Sequence, residues 1–140
     1  MDNVSMAPKL ARMFMAIGFI YLFLGSLLLA LRTFGIIQIE MDSIFIMELY
    51  GFVTMLIFGL SYMFAPGLSH TSYANYKVTI AELILLNIGI LLIFSAMSGI
   101  AGQAKQPATL LGFSSLLLAI AMHSVSIWHI IGKNKKPQQP

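Results

Sequence analysis

Three ionisable side chains, Glu48, Glu82 and His123, fall inside long apolar runs of this 140-residue chain. A charge in such surroundings is costly, so each of the three needs a partner or a task. As a neutral imidazole, His123 could ligate haem iron or another metal, bond a serine or backbone carbonyl on a neighbouring helix, or serve a proton or quinone site. Glu82 closes the tetrad Thr79-Ile80-Ala81-Glu82, whose capping-box spacing suits the start of a helix, where partial positive charge favours a carboxylate. If the helices bearing Glu82 and His123 run in opposite directions, both residues lie on the same side, and their contact would be the best proton-handling pair in the chain. Glu48 stands about one turn into its own run. That position suits snorkelling to the interface, a contact with another subunit, or a place in an ion path.

No other constellation carries chemistry. A Gly-rich phosphate loop, paired catalytic carboxylates, a His-x-x-x-His pair and a serine triad are all missing, so intrinsic enzymatic activity has thin support. Zero cysteines exclude disulfides, thiolate metal sites, iron–sulfur clusters and cysteine nucleophiles. The ten methionines are scattered without ligand spacing, which favours ordinary packing over a Cu(I) relay. His70 sits in the polar connection Ser69-His70-Thr71-Ser72, and His129 stands beside Trp128 at a headgroup level. The net charge of +3 does not imply a nucleic-acid partner, because five of the eight cations sit in the first 12 and last 8 residues, flanking apolar segments.

The elements that must position these residues follow from composition. With 59% hydrophobic and 9% charged residues, and a mean hydropathy of +0.89, the chain has too little polar surface for a water-facing globule. The lipid bilayer is its expected solvent. A hydrocarbon core of about 30 Å takes about 20 apolar helical residues. Four runs meet that length, at 11–31, 44–64, 78–97 and 108–131. The first is too long for the apolar core of a signal peptide and is read as a membrane helix. Short connections predict an all-α membrane protein: one domain over 1–132, an antiparallel up-down four-helix bundle, followed by a basic polar tail over 133–140. Lys9, Arg12, Lys77, Lys133, Lys135 and Lys136 fall on one side and only Arg32 and Lys105 on the other. The excess of positive charge predicts both termini in the cytoplasm, with the chain in the plasma membrane. Pro66 and Gly67 are expected to stop the second helix, Gly99 and Gly102 to release the third, and Pro107 to open the fourth. Tyr50, Tyr62, Tyr73, Tyr76 and Trp128 are expected at the interfaces.

Contacts between membrane helices are marked by small residues. Gly18 and Gly25, with Ser26 and Ala30 beside them, mark the first helix, and Gly51 and Gly59 the second. On the fourth, Gly112, Ser115 and Ala119 form one stripe, and extending it reaches His123 and then Ser126. His123 is therefore expected to point into protein.

The stretch Gly51-Phe52-Val53-Thr54-Met55-Leu56-Ile57-Phe58-Gly59-Leu60-Ser61-Tyr62, followed by Pro66, resembles a helix of the catalytic subunit of haem-copper oxidases and the related nitric oxide reductases. In that family haem-ligating histidines precede the first glycine. Ile46 and Ile44 stand there in this chain, and isoleucine has no lone pair. The resemblance therefore implies a relative that kept the helix and lost its metal chemistry. From it follows the expectation of a small accessory subunit of a larger prokaryotic respiratory or oxygenase-type redox complex, bound to larger membrane-protein subunits and bordering a cofactor or quinone pocket. No bound cofactor is required by the residues themselves. Two other readings compete with it: a small homo-oligomeric proton-coupled transporter in which Glu48 is the acid, and a haem-binding electron carrier using His123.

Overall fold

Apolar side chains recur on every face of four long segments, and in a solvent without water only a helix satisfies the backbone of such a segment internally. In the computed structural model, which describes residues 3–69 and 75–132, these segments are helices. They are α1 (Asn3–Thr33), α2 (Met41–Ile46), α3 (Thr54–Ser69), α4 (Tyr76–Met97) and α5 (Lys105–Gly132). A π-helical segment, Met47–Val53, joins α2 to α3 without a break, so α2, the π segment and α3 form one span. Four helices are thus long and apolar enough to cross a membrane, and the described residues contain no strand. The expectations for His70, Tyr73, Lys133, Lys135 and Lys136 lie outside the described residues.

Two expected boundaries are corrected. The second span does not stop at Pro66 but continues to Ser69. Proline removes one backbone hydrogen bond, yet a membrane helix tolerates that loss because neighbouring groups re-satisfy the freed carbonyl. The third span starts at Tyr76, capped by Asn75, whose side chain accepts from the Lys77 amide at 3.0 Å. The Thr79–Glu82 tetrad is therefore not a capping box. The Thr79 hydroxyl instead donates back to the Asn75 carbonyl at 3.2 Å, and Glu82 lies nearly two turns inside the helix.

Glycines set the closest approaches. Gly18 lies against Met55 and the Phe52 carbonyl, Gly51 lies under the Tyr21 ring, and Gly59 meets the Ala11 carbonyl, so α1 and the second span pack backbone to backbone. Between α4 and α5, a Cβ built on Gly89 would fall 2.9 Å from the Gly112 carbonyl, and one on Gly112 would fall 3.0 Å from that of Gly89. Gly112 and Ala119 are buried as the stripe requires, and Ser115 donates to the Leu85 carbonyl at 2.8 Å. Ser26 and Ala30, expected at a contact, are instead exposed, because α1 turns its Gly18–Tyr21–Gly25 side to the second span. Phe14, Met55, Leu86, Ile90, Ile93 and Leu116 fill the centre. Large apolar side chains such as Phe23, Leu110, Leu117, Val125 and Trp128 point outward, as the lipid-facing side of a membrane protein should.

Candidate functional site

The start of α4 is held by the Asn75 cap, which places Glu82 six residues on, about 9 Å along the axis. There it is fully enclosed, at 0% exposure. Three side chains from two other helices converge on its carboxylate. The Tyr62 hydroxyl of α3 donates to Oε2 at 2.5 Å, and His123 Nδ1 of α5 lies 3.2 Å from the same oxygen. The Ser126 hydroxyl, three residues along α5, donates to Oε1 at 3.0 Å. Glu82 and His123 are therefore in contact, and His123 points into protein, as expected, at 7% exposure.

Aromatic packing fixes the imidazole. Phe58 stacks on its face with ring centroids 3.7 Å apart and planes 11° from parallel, and Tyr62 meets it edge-on at 4.8 Å. Phe58 and Tyr62 are four residues apart on one helical face, so one face of α3 supplies both the stacking ring and the phenol. The acid and the imidazole together form a proton-sharing pair. With Glu82 ionised, the Nδ1–H of a neutral imidazole donates to Oε2 and Nε2 is bare; with Glu82 protonated, its hydroxyl donates to Nδ1 and the ring hydrogen lies on Nε2. Nε2 is buried without a partner. Nδ1 is thus engaged by Glu82, Nε2 is enclosed and Phe58 lies on the ring. Among the described residues no group of three His, Asp or Glu side chains converges in a metal-binding arrangement.

A second polar contact lies deeper. The Tyr21 hydroxyl donates to Asn87 Oδ1 at 2.8 Å, and Asn87 Nδ2 donates to the Leu83 carbonyl at 2.7 Å. Leu86, Ile90 and Met55, all fully buried, are the apolar filling of this part of the bundle.

Glu48 behaves differently. It lies in the π segment, half-buried, with its side chain over Gly25, where a Cβ would fall 2.7 Å from Glu48 Cγ. It has no hydrogen bond or ion pair among the described residues. The structure does not bring it to Glu82 or His123.

Four residues of these two clusters escaped the sequence reading: Tyr62, Phe58, Tyr21 and Asn87. Tyr62, expected at an interface, is 3% exposed. The spacing Gly51, Met55, Phe58, Tyr62 marks a single helical face, and that stripe carries the signal that Tyr62 turns inward. No family model, curated protein or solved structure matches this chain.

Proposed function

We propose that this multi-pass membrane protein is a non-catalytic subunit of a larger membrane assembly. In this reading the four spans form an antiparallel up-down bundle in the plasma membrane, with both termini in the cytoplasm. Support for the antiparallel order comes from the corner at Glu82: Tyr62 lies late in its helix, Glu82 early, and His123 and Ser126 late again. The observation that carries the subunit reading is how the polar groups are used. The fully buried carboxylate spends its acceptor capacity on three side chains of the same chain, while the outer face is broadly apolar and presents helix surface to lipid or protein. The redox nature of the assembly rests on the resemblance of the Gly51–Pro66 helix alone.

The test is solubilisation of native membranes in mild detergent, followed by mass spectrometry and an absorption spectrum of the purified assembly. Larger companion subunits with a redox pigment are expected. Purification as a monodisperse assembly of this chain alone would overturn the reading. Orientation is checked separately. Because the chain has no cysteine, single cysteines placed at Asp2 and Gln139 should both react with membrane-impermeant maleimide only in inverted vesicles.

A further inference from the structure

We propose that Glu48 is the docking point for a transmembrane helix of another protein, one that carries a lysine or arginine at matching depth. The proposal rests on the subunit reading above and adds the chemistry of the contact.

Glu48 sits seven residues from the start of α2, about 10 Å along the axis, inside an apolar span. Its neighbours Phe45, Leu49 and Val53 are exposed, as are Leu24 and Leu27 on α1, so the surroundings are hydrocarbon rather than polar loop. A carboxylate in such a place without a hydrogen-bonding partner is strongly disfavoured, and membrane acids pair where they can. Glu82 shows the paired arrangement in the same molecule, with three partners. Glu48 has none, and the π segment that carries it aims the side chain into a crevice floored by Gly25.

Among the described residues, neither this chain nor a second copy in the same orientation brings a cation to the depth of Glu48. The cations among those residues are Lys9, Arg12, Arg32, Lys77 and Lys105; Arg32, Lys77 and Lys105 stand near helix ends, and Lys9 and Arg12 precede Gly25 by about 20 Å or more along α1. Arg32 lies seven residues beyond Gly25, about 10 Å away along α1, where its guanidinium donates to Met41 Sδ at 2.8 Å. The missing cation therefore belongs to a different polypeptide. Exposed Ser26 and Ala30, on α1 next to the crevice, are small enough to let a foreign helix approach closely.

The test places a photo-crosslinking residue at Leu49, beside Glu48, in the full chain within its native membrane assembly. The expected product is a peptide from another protein with lysine or arginine inside an apolar run. Its yield should fall roughly tenfold or more with Glu48→Gln and recover with Glu48→Asp, because a desolvated charge pair is lost and restored. Circular dichroism of the isolated Gln variant controls for folding. Cross-links only between copies of this chain, only to lipid, or with a yield indifferent to Glu48→Gln would overturn the proposal. A wild-type chain that migrates without companions defeats the subunit reading itself. Companions retained with an indifferent cross-link defeat only the docking point.

Discussion

Glu82 and Glu48 are two acids in one hydrophobic bundle, and they are handled in opposite ways. Around Glu82 two other helices supply a phenol, an imidazole and a hydroxyl, and the carboxylate is sealed. Around Glu48 the chain supplies a glycine crevice and no donor. Hydrogen-bond donors turned inward make an acid part of the scaffold. An acid left half-exposed at a seam between helices is a demand on something outside the chain.

The largest expected effect that could break this contrast is Glu82→Ala. It orphans Tyr62, His123 and Ser126 together, so unfolding in detergent should show a loss of about 3–5 kcal/mol. Tyr62→Phe removes one donor and should cost about 1–3 kcal/mol in the same measurement. Ala119→Phe overfills the α5 stripe one turn from His123 and should cost about 1–3 kcal/mol, whereas Leu117→Phe, whose site is 67% exposed, should stay within about 0.5 kcal/mol. Glu48→Gln should change the stability of the isolated chain by less than about 0.5 kcal/mol, since no internal bond is lost. Equal losses for Glu48→Gln and Glu82→Ala would erase the distinction between the two acids.

Much of this arrangement was legible in the residues themselves. Length and apolarity located all four spans, the Gly112–Ser115–Ala119 stripe placed His123 inside, and the opposite run of its helix to that of Glu82 put the two at one depth, though the spacing favoured a cap role for Glu82. The capping motif misled, because its spacing was also satisfied by an interior position once Asn75, further upstream, took the cap. Tyr62 was hidden by the habit of placing tyrosine at the interface and by the assumption that Pro66 ends a helix. In lipid that assumption weakens, and a continued α3 left Tyr62 two turns inside. Asn87 and Tyr21 gave no local signal, because their bond depends on how helices α1 and α4 meet. The π segment was invisible for a related reason: its composition is that of any apolar helix, and the wider winding is set by neighbours.

That wider winding makes the second span a helix with a surplus residue. Deleting Leu49 would let the coil tighten to ordinary pitch, and because the wider turn had absorbed that residue, the stretch before it would keep Ser43 and Ile44 in the interior. The wider turn thus lets the span carry one residue more than an α-helix would without turning its buried face to lipid.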